Sequence, residues 1–250
     1  MEGLVSSGLE TGLSAILPIA VAAFLFLVEA RGPLARPLRE SRGIVAPYFV
    51  SVALLFSLFA ALLVSDVWRK TTDARHAVQV ESDTVLVLAH LARANGIADA
   101  VIPHLKAYAA AASAEDPHST SIASSRNETG RAFVELLTAV SQAPGIDGPN
   151  RSALLTAARE LLRAHDDRLT LANDVTAPIK WFAILVLGAM TQIALLLVHA
   201  DNRRAMRMAV GLFTVAFSFC LVVVAIFDAP FDIVLAGEPA ATLKEAVAGL

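Results

Sequence analysis

Long apolar stretches and polar segments alternate along this chain. Four apolar windows reach or approach the roughly 20 residues that a helix needs to cross a bilayer, and they cover residues 13–28, 45–64, 181–198 and 208–227. The first window is short, but no basic residue precedes it and no small-residue cleavage pattern follows it. We therefore interpret it as a retained span, and the pattern predicts four transmembrane helices.

The central segment, residues 67–177, is rich in alanine and lacks the strict alternation of a strand. Turn and capping residues divide it into predicted helices over residues 65–95, 97–113, 127–142 and 150–173. The first and last of these abut spans two and three, so both are expected to continue those spans beyond the bilayer, with a bend at Pro178.

The predicted fold is an all-α integral membrane protein with four transmembrane helices and a helical-bundle domain inserted between helices 2 and 3. Its predicted parts are residues 1–66, 67–177, 178–228 and 229–250. The last part is a C-terminal tail that turns at Pro230 and ends in a short amphipathic helix from Pro239. Residues 231–235, before that helix, are expected to run along the membrane surface or to re-enter it slightly.

Composition agrees with a membrane protein, since 56% of the residues are hydrophobic and only 17% are charged. A net charge of −3 argues against a nucleic-acid-binding protein, and the single cysteine, Cys220, excludes an internal disulfide framework. Histidines recur every fourteen residues from His76 to His118, but helix-breaking residues separate them, so no metal site is expected. Without a nucleotide-binding or nucleophile motif, no cofactor is expected and an enzyme is the least favoured class.

Arginine is concentrated in two short predicted loops. Arg31, Arg36, Arg39 and Arg42 lie between spans one and two, and Arg203, Arg204 and Arg207 lie between spans three and four. The positive-inside rule places such loops in the cytoplasm. Both termini and the central domain are then predicted to be extracytoplasmic.

Charged residues interrupt the apolar faces of two predicted helices in the central domain. Glu81 lies on the packing face of the first helix, and His165 and Arg168 lie on that of the last. Because an unpaired buried charge is costly, we expect Glu81 to pair with His165 or Arg168. This cluster is interpreted either as a structural ion pair that fixes helix register or as a ligand or ion site.

Polar and aromatic residues within the spans suggest a second region of interest. Gln192 shares a face of span three with Gly188 and Thr191, and Phe56 and Phe59 lie on a stripe of span two. Small and hydroxyl-bearing residues at helical spacing form packing surfaces. The alternative is that Phe56, Phe59 and Gln192 belong to a pore or gate, because apolar rings can close a pore by dewetting.

The layout resembles the bestrophin-like family of bacterial membrane proteins. The resemblance rests on the order of spans, Glu81 in the first central helix, Arg163 and Arg168 in the last, and the element Asp228, Pro230 and Phe231 after span four. It implies kinship to bestrophins, which are pentameric anion channels with a hydrophobic neck, and a place in a bacterial inner membrane. It also implies a cytosolic helical domain, opposite to the side that the arginine loops favour.

Two functions remain open at this point. The first is a homo-oligomeric channel for inorganic anions in a lipid bilayer, because four spans are too few to enclose an aqueous pore alone. The second is an extracytoplasmic sensor or scaffold whose helical domain binds a ligand or an unknown partner protein. The inner loops are too short to hold an output domain, so a sensor of this kind would need a partner.

The orientation can be tested with cysteines placed at Ser119 and in the loop that holds Arg36. If the charge rule holds, an impermeant thiol reagent applied to intact cells should label Ser119→Cys and leave the loop cysteine unlabelled. The reverse labelling would contradict the extracytoplasmic assignment and would agree with the bestrophin resemblance.

Overall fold

The computed structural model describes residues 2–31, 45–116, 118, 127–174 and 176–250. All secondary-structure elements in these ranges are helices, and they are α1 (Glu2–Arg31), α2 (Val45–Ala94), α3 (Ala98–Ala114), α4 (Glu128–Gln142), α5 (Gly148–Asn173), α6 (Pro178–Val198), α7 (Arg203–Asp228) and α8 (Glu238–Ala248). The all-helical prediction is confirmed for this part of the chain. The loop with Arg36, Arg39 and Arg42 and the labelling position Ser119 lie outside the described residues.

The chain forms two compact units. The membrane unit consists of Met1–Arg69 and Val175–Asp232, and the helical unit consists of Lys70–Asp174 and Ile233–Leu250. Helix α2 contributes its first half to the membrane unit and the rest to the helical unit, so span two and the first central helix are one continuous helix, as predicted.

The last central helix and span three are separate helices, and the expected bend at Pro178 was wrong. Helix α5 ends at Asn173, and α6 begins with Pro178 in its first turn. Proline suits this position because its missing N–H would have no helical partner there, and it disfavours helical backbone at Ala177. The proline therefore starts a new helix instead of bending an existing one.

Three stretches are long and apolar enough to cross a membrane, each through one apolar window. They are Tyr48–Ala94 in α2, Arg203–Asp228, which is α7, and Gly148–Val198, which includes the separate helices α5 and α6. The apolar stretch Ile16–Glu29 within α1 is shorter. The predicted total of four spans therefore stays a prediction, and it depends on the first of them.

Helices α1, α6 and α7 pack against one another in the membrane unit. Gly188 of α6 faces the ring of Phe217 on α7 so closely that a methyl group at residue 188 would overlap the ring. Phe217 is almost fully buried, with Leu63, Ile184 and Leu221 in the same cluster. A glycine at this contact lets the two helices approach, as small residues do in membrane helix pairs.

The helical unit has its own hydrophobic core, built by its part of α2 and by α3, α4, α5 and α8. Helix α8 packs on α3 and inserts Leu243 and Ala246 into this core. The apolar side of the last helix therefore faces the core of the helical unit. Its apolar residues are used within the helical unit, where Arg93 Nη2 also donates to the carbonyl of Leu250 at 2.9 Å.

Gly188 provides a direct test of the membrane-unit packing. Gly188→Ala should lower the free energy of unfolding by about 1–3 kcal/mol, because the added methyl group forces Phe217 out of its place. Gly211→Ala on α7 is the matched control, since nothing lies within 4 Å of a methyl group there. Thermal unfolding of both variants in detergent measures the difference, and equal midpoints would contradict the described contact between α6 and α7.

A buried charge cluster as the candidate functional site

The three charged residues singled out from the sequence lie together inside the helical unit. Glu81 projects from α2, and His165 and Arg168 project from α5, one helical turn apart. Their exposed fractions are 0%, 0% and 1%, so water does not reach them. Apolar residues flank each of them along its own helix, and this periodicity carries all three side chains into the core.

The Glu81 carboxylate is the centre of the cluster. Arg168 Nε donates to its Oε2 at 2.6 Å, and the Tyr108 hydroxyl of α3 donates to its Oε1 at 2.9 Å. His165 Nδ1 lies 2.8 Å from the same Oε1. Three side chains from two other helices thus surround one buried carboxylate, which is how a buried charge is tolerated in a protein core.

A second carboxylate, Glu115, approaches the cluster from the C-terminal cap of α3. Its Oε2 lies 3.1 Å from His165 Nε2 and accepts a hydrogen bond from Thr129 Oγ1 at 2.9 Å. Its Oε1 accepts from Asn127 Nδ2 at 2.9 Å. Glu115 therefore connects the end of α3 with the beginning of α4 and with α5.

Ionisation in the cluster follows from these contacts. Burial alone would raise the pKa of Glu81, but the hydrogen bond with His165 and the charge of Arg168 hold it below its usual value. Burial alone would lower the pKa of His165, yet the contacts with Glu115 and Glu81 raise it. Burial and the nearby Glu81 raise the pKa of Tyr108 well above its usual value. Glu81 is thus ionised and Tyr108 is neutral at physiological pH.

The chemistry of this cluster is that of charge pairing and proton exchange. Among the described residues, no group of three or more histidine, cysteine, aspartate and glutamate side chains is arranged to hold a metal ion. The guanidinium of Arg168 occupies the position next to Glu81 that a cation would need.

Gln192 lies in the membrane unit and is fully buried. Its Nε2 donates to the carbonyl of Pro18 in α1 at 3.1 Å and to Thr214 Oγ1 in α7 at 2.9 Å. Its Oε1 has no partner among the described residues. The side chain thus connects three helices of the membrane unit.

Phe56 and Phe59 are half-buried on the side of α2 that packs within the membrane unit. The ring of Phe56 makes edge-on contacts with Phe213 and Phe217 of α7, each with ring centroids 5.3 Å apart. The structure therefore directs Phe56 toward α7, and a gating role for these two rings stays a prediction.

Asp228 connects the end of α7 with the beginning of α6. Its Oδ1 accepts from the backbone N–H of Thr176 at 3.0 Å, and its Oδ2 lies 3.4 Å from Trp181 Nε1. Pro230 and Phe231, the other residues of this sequence element, are also buried. The element thus holds the C-terminal end of α7 next to the N-terminal end of α6 within the membrane unit.

Comparison with protein families agrees with this layout. A model described as the bestrophin-like domain matches residues 16–240. The chain belongs to the bestrophin-like family. No curated protein matches it.

Solved structures show that this bestrophin-like chain shares the fold of bacterial bestrophins. A bestrophin homologue from Klebsiella pneumoniae is 14% identical, with a TM-score of 0.68, and the match covers 96% of this chain and 97% of that one. A variant of that homologue is 12% identical, with a TM-score of 0.68 and coverage of 97% and 99%. A structure described only as a membrane protein is 13% identical, with a TM-score of 0.69 and coverage of 96% and 98%.

Two residues of the cluster were not singled out from the sequence. Tyr108 had a usable signal, because it continues the apolar stripe of Val101 and Leu105 on α3 and a buried tyrosine hydroxyl needs a partner. Glu115 had none, since an acidic residue in a polar connection between helices is usually solvated. Only the fold shows that it returns to His165.

The energetic coupling in the cluster can be measured with a double-mutant cycle. Glu81→Ala should destabilise the protein by about 3 kcal/mol or more, because Arg168 and His165 would remain buried without their carboxylate. The Glu81→Ala and Arg168→Ala double variant should recover part of that loss. Chemical denaturation in detergent provides the free energies of unfolding.

The control is an ion pair on the surface of the same helix. Arg163 and Glu160 lie 3.3 Å apart with exposed side chains, so Glu160→Ala should stay within about 0.5 kcal/mol of the parent. Additive effects of the Glu81 and Arg168 substitutions would show that the two charges do not stabilise each other.

Proposed function

We propose that this chain assembles into a homo-oligomeric channel that conducts inorganic anions across a bacterial inner membrane. Membership of the bestrophin-like family supports the proposal, because bestrophins are anion channels. The likeness in fold to bacterial bestrophins extends over nearly the whole chain. Four spans cannot enclose an aqueous pore, so the pore must lie between copies.

The single observation that best supports a shared pore is the outer face of α2 in the membrane unit. Leu55, Leu58 and Leu62 are 56%, 59% and 61% exposed, and Ser51 and Ser65 extend the same face at its two ends. These residues are spaced four, three, four and three apart. That repeat keeps one seam of a helix facing a common axis, as in assemblies of several helices.

Such a seam has the composition of a hydrophobic neck. Three leucines would form successive apolar rings around the axis, and a serine at each end would meet water. An apolar constriction of this kind closes a pore by dewetting. Phe56 and Phe59 would then act from behind, since the contacts of Phe56 with Phe213 and Phe217 brace the helix that carries the leucines.

The proposed placement follows the arginine loops, which face the cytoplasm, with both termini and the helical unit outside. This placement leaves the basic residues Arg69 and Lys180 on the outer side, against the charge rule. Both are paired with Asp66, at 3.2 Å and 2.6 Å, so we give them less weight than the loop arginines. The family resemblance favours the opposite placement. The labelling of Ser119→Cys decides between them.

The alternative function is a sensor or scaffold whose helical unit binds a ligand or a partner protein. One observation favours it, namely an open groove of about 490 Å³ between α3 and α4. Alanines line it together with Glu128, Arg131 and Glu135.

The channel proposal predicts a gain of conductance from a polar neck. In planar bilayers, Leu58→Ser should conduct several-fold more than the parent, because water would remain in the constriction. Reversal potentials in a chloride gradient should show anion selectivity. Leu212→Ser is the matched control, since Leu212 is an exposed leucine of α7, 75% against 59% for Leu58, and its substitution should leave the conductance unchanged.

The oligomeric state provides an independent check. Light scattering of the detergent-purified protein should give a closed oligomer. A strict monomer that passes no current, with Leu58→Ser as silent as the parent, would contradict the channel proposal and leave the groove of the helical unit as the place to search for a partner.

A further inference from the structure

Glu115 lies at a junction in the helical unit. It caps the end of α3, and its two oxygens accept hydrogen bonds from Asn127 and Thr129 at the beginning of α4. Asn127 is itself the N-terminal cap of α4, because its Oδ1 accepts from the backbone N–H of Gly130 at 2.7 Å. A contact that fixes the position of the Glu115 side chain therefore also fixes the first turn of α4.

Glu115 also contacts His165 of α5, and this contact depends on the charge of that ring. Nδ1 of His165 lies 2.8 Å from Glu81, and Nε2 lies 3.1 Å from Glu115. A neutral imidazole carries one N–H and cannot serve two carboxylates, whereas the imidazolium carries two. Nε2 forms no hydrogen bond among the described residues, so its 3.1 Å contact with Glu115 is an ion pair when the ring is protonated.

The balance of charge around the ring leads to the same conclusion. The groups that face His165 are Glu81 from α2, Tyr108 from α3, Glu115 from the cap of α3, and Arg168 from its own helix. Among the described residues, two carboxylates and one permanent cation, Arg168, face the ring when Tyr108 is neutral. A proton on His165 gives this set a second cation to match the two carboxylates.

We propose that the proton on His165 controls a contact between helices, which we call the latch. As an imidazolium, His165 holds Glu115 to α5. The end of α3 and the first turn of α4 are held with it. Loss of its proton removes the cation from between Glu81 and Glu115. One carboxylate then faces a ring nitrogen that has no hydrogen to donate, and the two carboxylates no longer share a cation. The junction at Glu115 loosens while the apolar core of the unit remains.

The direction of the pH dependence follows from the raised pKa of His165. A group with a raised pKa contributes stability that is complete below its unfolded value and is lost as pH rises through its folded value. The lowered pKa of Glu81 acts in the opposite direction, and its contribution is lost only in acid. The latch is thus closed at mildly acidic to neutral pH and opens on the alkaline side.

Hydrogen–deuterium exchange of the full-length protein in lipid nanodiscs tests this proposal. Exchange is measured from about pH 5 to about pH 10 and corrected for the intrinsic pH dependence of amide exchange. Protection of peptides over residues 109–116 and 127–133 should fall by about tenfold as the latch opens, the effect expected for one charge-assisted contact. Protection of α6 and α7 should not change with it.

Two variants identify the groups responsible. Glu115→Gln keeps the size of the side chain and one accepting oxygen but removes its charge, and it should abolish the pH-dependent step. His165→Gln should show low protection of the same peptides at every pH. His104→Gln is the control, because His104 also faces a glutamate, Glu135 at 3.8 Å, but both side chains are well exposed and the step should persist.

Constant protection of the parent over the whole pH range would overturn the proposal. So would a step of full size in Glu115→Gln, because the titrating contact would then not involve Glu115. The result for Glu115→Gln does not depend on whether His165→Gln folds.

Discussion

An ionised carboxylate out of reach of water determines the arrangement of the helical unit. Glu81 is fully buried, and such a charge is tolerated only if cations and donors surround it. Arg168, His165 and Tyr108 do so from α5 and α3. Because each contact has a defined length and direction, α2, α3 and α5 have one register in which all three form. The apolar contacts around them, such as those of Leu88 and Leu161, tolerate small shifts, whereas the carboxylate does not. The cluster thus makes the packing of the unit specific, and loss of any one member would leave the charges of the others buried without their partner.

The membrane unit meets a different constraint, because apolar side chains gain little by leaving lipid for one another. Close approach and buried polar contacts take the place of hydrophobic burial there. Gly188 lets the ring of Phe217 lie against α6, and Gln192 connects α1, α6 and α7 through Pro18 and Thr214. Asp228 fastens the end of α7 to the beginning of α6 through Thr176 and Trp181. These few contacts orient the helices and leave the leucines of α2 exposed for another copy or for lipid.

The parts of this structure that could be predicted from the sequence are those that depend on local periodicity. The helices and their bounds follow from apolar spacing and from turn residues such as Gly96, whose φ of +70° suits a glycine at a helix end. The position of Glu81 on the packing face of its helix could be predicted in the same way.

The role of Glu115 could not be predicted, because it depends on a chain reversal that brings the end of α3 beside α5. The packing of α8 on α3 was missed for a similar reason, since an amphipathic helix fits a membrane surface and a protein core equally well. The direction of Phe56 was also undetermined, because apolar residues cover most of span two.

The charges of the helical unit are buried and paired, and this distinguishes its role from that of the membrane unit. Arg168 is a permanent cation and His165 becomes one when it is protonated, and in an anion channel both would be the first candidates for attracting the permeant ion. Both are sealed from water and lie within 3.1 Å of carboxylate oxygens, so their fields are cancelled at short range. A cluster of this kind cannot form part of a conducting path without first losing Glu81 or Glu115. It can still respond to protons, since a proton is the one ion that a buried network exchanges without opening a cavity.

The proposed pore surface has the opposite character, because the leucines and serines of α2 are exposed, uncharged and repeated along one seam. If the chain conducts, the exposed seam of α2 governs the passage of ions, and the buried cluster governs the shape of the unit that contains it.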